Sequence, residues 1–596
     1  AGVAGEWMRA LSTAGLAVLV LTGCSLGSPG PDPVGSPGTP SASPSTAPGG
    51  QDLPATSAPT PSSSSARVPS SSSGSPSDAA TPITAPGAIP GLPTESELSA
   101  ARADVADLDL HELAGQLVVA SYPGVDGAAA AELVRTHHLG GVITLGDNVP
   151  EDPQDRVPQL TAMSEGVSAA VAEDGRDWPG FIGIDQEGGP ITRIGAPLDR
   201  WPAAMALGAA GDPELAREVA TASGEQLRAL GYTAVFAPAA DVTTGPDDPT
   251  IGARSPGSDP GLVASISAAQ ARGYGEAGLV PVVKHFPGHG SVGADSHLGE
   301  VRQPASLETL RVRDLVPFEH LVDEGAPAVM SAHIVLEDLD PGLPATLSPQ
   351  VLDGLLRDDL GFEGLVVTDA LNMAAVSDGR TSGDAAVLAV LAGADVLLMP
   401  PDPGAAVDAL VGAVQDGTLS RDRVEESAAR MVATLRARES TPTPSERVIG
   451  SGHDLAVRAA GAAITQLSGP CGERLVGEGI EVVGGTDGDR ALLREVAEEA
   501  GLGTGGGDVV ALVGAPAYQA GGGGGGTGAA DGEVVVALDV PYPLAQSTAS
   551  SALLAAYGRD RATFEALVQV LLGEREAGGH LPVAVGGHPL GSGCGD

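Results

Sequence analysis

Five apolar runs in the middle of the chain each end at an ionisable side chain. Run 181–185 ends on Asp185, 234–238 is followed by Asp241, 280–284 ends on Lys284 with His285 next, 328–333 ends on His333, and 365–369 ends on Asp369. Carboxylates, imidazoles and an ammonium are the groups that attack electrophilic carbon, move protons and hold hydroxyls. A polar residue at a strand end often does no more than cap the next helix; that explains one or two of these, hardly five. Lys284 adds an argument from composition. It is the sole lysine among 596 residues, in a chain that uses arginine wherever else a cation is wanted. A compact ammonium kept against that bias points to a task that a planar guanidinium cannot perform.

The segment after Lys284 reads Lys-His-Phe-Pro-Gly-His-Gly over 284–290, with Asp295 and His297 following. An imidazole two residues from a carboxylate can serve as acid and then as base, with Asp295 orienting and tuning His297. Gly288, Gly290 and Gly293 give the loop freedom to close over a ligand. His285, His289, Asp295 and His297 also form a possible metal set, but their spacing matches no common zinc pattern. No metal and no cofactor are expected.

These residues need a scaffold that gathers them. Eight β-rich runs, 116–121, 141–145, 181–185, 234–238, 280–284, 328–333, 365–369 and 395–399, alternate with helical stretches over 99–438. That pattern predicts an α/β fold, a (β/α)8 TIM-type barrel, whose chemistry lies where the strands end. A short linker at 439–446, with Pro442 and Pro444, precedes a smaller α/β-sandwich domain at 447–596. Strands are expected there at 480–483, 509–513, 534–540 and 581–585, with helices at 489–500 and 563–572 and a flexible insertion at 521–526.

Three segments, 184–189 (Ile-Asp-Gln-Glu-Gly-Gly), 284–297 and 367–373 (Val-Thr-Asp-Ala-Leu-Asn-Met), resemble glycoside hydrolase family 3, in its β-N-acetylglucosaminidase branch. The resemblance covers the barrel, and the C-terminal region is similar to the sandwich domain of the family's two-domain members. It implies a retaining exo-hydrolase acting on oligosaccharides with terminal β-linked N-acetylglucosamine, from cell-wall muropeptides or chitin. Asp369 would be the nucleophile, His297 with Asp295 the acid/base, and Asp185, Arg193, Arg254, Lys284 and His285 the sugar ligands. Pro190 stands where the family usually has a basic residue, which bears on the shape of the loop before Arg193. A β-glucosidase, a phosphorylase and a wall-binding protein without catalysis are the alternatives.

The formal net charge of −45 disfavours nucleic acid as a partner. An apolar run at 16–21 ends in Leu21-Thr-Gly-Cys24, which resembles a bacterial lipobox. Residues 1–23 would be a signal peptide, and Cys24 the lipidated residue anchoring a monomer to the outer face of the cell membrane. Residues 24–98, rich in Ser, Pro and Gly, would be a disordered linker. Cys471 and Cys594 are either one disulfide or two separate thiols.

Overall fold

The computed structural model describes residues 87–514 and 528–594. The expected signal peptide, Cys24 and the glycine-rich insertion lie outside the described residues.

All eight expected strands form. They are β1 (Val118–Ser121), β2 (Gly141–Thr144), β3 (Phe181–Ile184), β4 (Ala234–Val235), β5 (Val280–Phe286), β6 (Ala328–Ser331), β7 (Leu365–Thr368) and β8 (Leu397–Leu398). Each pairs in parallel with its neighbour, β8 pairs with β1, and a parallel bridge between Val367 and Val396 closes the ring. Side chains alternate across each strand. Val119, Ile143, Val280, Val282, Met330, Leu365 and Val367 turn inward and fill the barrel, while Val118, Val142, Ile182, Val329 and Val366 pack outward against the helices.

The barrel domain begins earlier than the sequence suggested. Ile89 is buried, with its N–H donating to Glu324 O at 2.8 Å, and Thr94 caps the helix Glu95–Val105 through a capping box with Glu97. Residues 87–98, assigned above to the disordered linker, are therefore part of the packed structure. Their proline-rich composition hid one apolar anchor and one helix start. The second linker is also packed, since Arg228 donates to Thr441 O at 3.4 Å.

The second domain holds a five-stranded sheet made of β9 (Thr465–Ser468), β10 (Gly479–Gly484), β11 (Gly503–Val513), β12 (Asp531–Ala537) and β13 (Thr548–Ala555), in the order β9-β13-β12-β11-β10. Only the β9–β13 pairing is antiparallel. Helices Asp487–Glu499 and Arg561–Leu571 match expectation. The strand expected at 581–585 is absent. Leu581, Val583 and Val585 alternate as in a strand and are buried, but they pack in a cluster that also holds Ala203, Met205, Ala206, Ala209 and Ala253 of the barrel domain. Cys471 and Cys594 form a disulfide.

Candidate active site

The strand ends meet around a cavity of about 180 Å³ lined by Asp185, Glu187, Arg193, Arg254, Lys284, His285, His297 and Asp369, with Met330, Met373 and Met399 as apolar walls. Three cations thus face three carboxylates, supplied by the segment after β3, the loop after β4, β5 and the end of β7.

Asp185 follows β3. The chain then turns back through a tight hairpin in which the Gln186 side chain accepts from Arg193 N at 2.8 Å and Ile194 N at 3.1 Å, and donates to Ile194 O at 2.9 Å. Gly189 has φ +53°, and a Cβ there would stand 2.5 Å from that of Ala203, so only glycine fits. Pro190 sits in this turn without opening it. Arg193 still reaches the cavity, 3.5 Å from Asp185, and its Nε has no partner among the described residues.

Lys284, on β5, is buried between Asp185 Oδ1 and Glu187 Oε1, each 2.7 Å from Nζ. Burial opposes its charge, but the two carboxylates more than offset this and hold its pKa above the ordinary value. Glu187 also takes Arg254 in a bidentate pair at 2.8 and 3.0 Å. Burial would raise the Glu187 pKa, yet Arg254 and Lys284 hold it far below the usual carboxylate range. With its acceptors committed to two cations, Glu187 organises the cavity. Its place in the 184–189 motif carries no legible role in the sequence, because its partners lie 67 and 97 residues away.

His285 donates from Nδ1 to the fully buried Asp241 at 2.7 Å, while Nε2 is 3.2 Å from Arg254 Nη2, which can only donate. The Asp241 carboxylate therefore keeps a proton on Nδ1. Asp241 Oδ1 also accepts from His289 N at 2.7 Å. His289 is buried, and its Nε2 lies 2.9 Å from Ser296 Oγ, which ties it to the stretch bearing Asp295 and His297. Burial, aided by nearby His285, pushes the His289 pKa down to about 4. Of the ionisable strand-end residues, Asp241 and His333 stand behind the cavity wall. His333 bonds Thr346 Oγ1 at 2.8 Å and Ala370 O at 3.0 Å.

His297 Nδ1 is 2.7 Å from Asp295 Oδ1, which also accepts from His297 N at 2.9 Å. Burial opposes ionisation of Asp295, but these bonds lower its pKa overall. The ring is held by one nitrogen, and Nε2 is unengaged among the described residues.

Asp369, after β7, accepts from Ala370 N at 2.7 Å and makes no ion pair among the described residues. Burial raises its pKa, but the fields of His333 and His285, the Ala370 N–H and His297 outweigh burial and bring it down to about 2. The carboxylate is ionised yet not covered by a cation, which suits a nucleophile. The possible metal set disperses: His285, His289 and His297 bond to Asp241, Ser296 and Asp295. Among the described residues the one close trio of possible ligands is Glu112, His138 and Asp174, where His138 already bonds both Asp174 oxygens.

A carboxylate and an imidazole facing one cavity at a barrel rim can cleave a glycosidic bond. Residues 109–434 match the glycosyl hydrolase family 3 N-terminal domain, and this match makes the enzyme a glycoside hydrolase. The chain belongs to this family. Beta-hexosaminidase LpqI of Mycobacterium tuberculosis is 36% identical over 320 residues, 52% of this chain and 79% of that protein. Beta-hexosaminidase A of Pseudoalteromonas piscicida is 34% identical over 286 residues, and the match spans 47% of its length. A family 3 β-N-acetylglucosaminidase from Paenibacillus sp. str. FPU-7 superposes with a TM-score of 0.68 at 30% identity, covering 80% of this chain and 99% of that one.

Proposed function

We propose that the enzyme removes terminal β-linked N-acetylglucosamine with retention of configuration, from muropeptides or chitin-type oligosaccharides. Asp369 attacks the anomeric carbon, and the glycosidic oxygen leaves with a proton from His297. Water then attacks the glycosyl ester, gives its proton to His297 and frees Asp369. Asp295 orients the imidazole, and Asp185, Arg193, Arg254, Lys284 and His285 hold the sugar. The observation that carries this reading is Asp369, without an ion pair among the described residues, in one cavity with an imidazole held by a carboxylate. The hexosaminidase relatives support the N-acetyl sugar.

The test is release of chromophore from an aryl β-N-acetylglucosaminide and from the β-glucoside. The N-acetyl substrate should be preferred, with Asp369→Ala losing about 10⁴-fold or more in kcat and His297→Ala about 10²–10⁴-fold. Preference for the glucoside, or survival of activity in Asp369→Ala, overturns the reading. Sugar 1-phosphate formed with added phosphate would identify a phosphorylase. By the same proposal the enzyme is exported and held at the outer membrane face through lipidated Cys24; Cys24→Ala should then leave the membrane fraction.

A further inference from the structure

Arg254 lies at the end of a long excursion between β4 and the helix Pro260–Glu276. This loop has little regular structure, only the short turn Gly252–Arg254. Part of its shape is internal. Buried Asp248 accepts from Thr250 N at 3.1 Å, Ile251 N at 2.9 Å, Gly252 N at 3.2 Å and Thr243 Oγ1 at 2.9 Å, which folds the turn that ends on Arg254. The rest of its support comes from the second domain. Tyr542 encloses its hydroxyl against Thr243, with Asp248 close by. Ala253, the neighbour of Arg254, belongs to the same apolar cluster as Tyr542, Leu544, Leu581 and Val583. On the far side, Pro582 O accepts from Ser258 N at 2.9 Å. The approach is so close that a Cβ on Gly257 would meet Pro582 O at 2.5 Å.

We propose that the second domain braces the loop 241–258 and thereby sets the position of Arg254 in the cavity, with Tyr542 and the Pro582 carbonyl as the positioning groups. Strand-like 581–585 is thus an arm laid on the barrel rather than a member of the sheet. Tyr542 acts chiefly by packing: its hydroxyl lies beside Thr243 but makes no hydrogen bond of good geometry among the described residues; Phe should replace it. The consequence for catalysis rests on the proposed role of Arg254 as a sugar ligand, whereas the brace itself does not.

The test uses the full chain and four variants: Tyr542→Ala, Tyr542→Phe, Gly257→Ala and Arg254→Ala. Gly257→Ala pushes on the Pro582 contact without touching the cavity. Tyr542→Ala and Gly257→Ala should each speed amide hydrogen exchange at 250–254 at least tenfold. They should raise KM for the aryl N-acetylglucosaminide about fivefold or more, with kcat within twofold. Tyr542→Phe should match wild type in both. In the Arg254→Ala background, adding Tyr542→Ala should change kcat/KM less than twofold, because both changes remove the same positioning. Wild-type exchange at 250–254 in folded Gly257→Ala and Tyr542→Ala refutes the brace whatever the substrate. Faster exchange with unchanged KM refutes the link to Arg254. If Tyr542→Ala does not fold, Gly257→Ala decides alone. If the N-acetyl substrate is not turned over at all, the functional reading has failed while the exchange measurement still judges the brace.

Discussion

The two ends of the barrel each carry a buried knot of carboxylates and cations, and they are built to opposite purposes. At the foot, Asp395 stands just before β8 with no solvent exposure, bonded by Arg357 at 2.6 Å, Arg423 and Arg430 at 3.2 Å and Ser427 at 2.8 Å. One carboxylate is surrounded by donors and shut off from solvent. At the rim, Lys284 and Arg254 are tied by Asp185 and Glu187, yet among the described residues Arg193 Nε has no partner and Asp369 has no cation on it. Satisfied charge locks helices to strands; charge left partly open at a cavity is available to a ligand. The same ion pairs therefore mean stability at one end and recognition at the other.

Three measurements test this contrast. The largest effect should come from Asp395→Asn, which leaves three arginine side chains around a neutral amide. Denaturant unfolding should show a loss of about 3–5 kcal/mol, while kcat/KM per folded molecule stays at the wild-type value; a drop in kcat/KM would join the two ends functionally. Glu187→Gln should do the reverse. It loosens Lys284 and Arg254 together, and kcat/KM should fall about 10–100-fold, mostly through KM, with a smaller change in melting temperature.

The smallest effect concerns pH. His289 has its folded pKa depressed to about 4 from 6.5, so the unfolded chain takes up a proton that the folded one refuses. Stability contributed by the neutral ring is present above pH 6.5 and is lost as pH falls towards 4. Asp395, held down to about 2 from 3.8, adds stability that is present above pH 4 and lost as pH falls through 2. Unfolding free energies measured in His289→Gln should therefore flatten the slope between pH 6.5 and 4. Those in Asp395→Asn should flatten it only below 4. An unchanged upper slope in His289→Gln would remove His289 from the acid response.

Much of the rim was legible before any coordinates, because strand ends recur with a fixed polarity in a parallel barrel. Asp185, Lys284, His285 and Asp369 could be placed from apolar runs alone, and the runs also gave all eight strands. What stayed hidden depends on contacts between distant segments. Glu187 differs from a surface glutamate only once Lys284 and Arg254 are brought to it. The link from Asp241 through His289 to Ser296 joins residues up to 55 positions apart, with no local signature. In the second domain, β13 reads Thr-Ala-Ser-Ser-Ala-Leu-Leu-Ala, a composition with little strand preference that pairing on both sides overrides. The reverse error at 581–585 has the same origin: alternation reports that every second side chain is buried, not what buries it.

The disulfide between Cys471 and Cys594 closes a covalent ring of 123 residues' separation, and β10 to β13 all lie inside it. A pull applied at position 594 is handed across the sulfur bridge to 471, three residues after the end of β9, and does not load the hydrogen bonds among the four enclosed strands. The segment that carries Tyr542 and Pro582 is thus pinned at 471 and 594 to one point, so tension applied there meets β9 first and cannot peel β10 to β13 apart one by one.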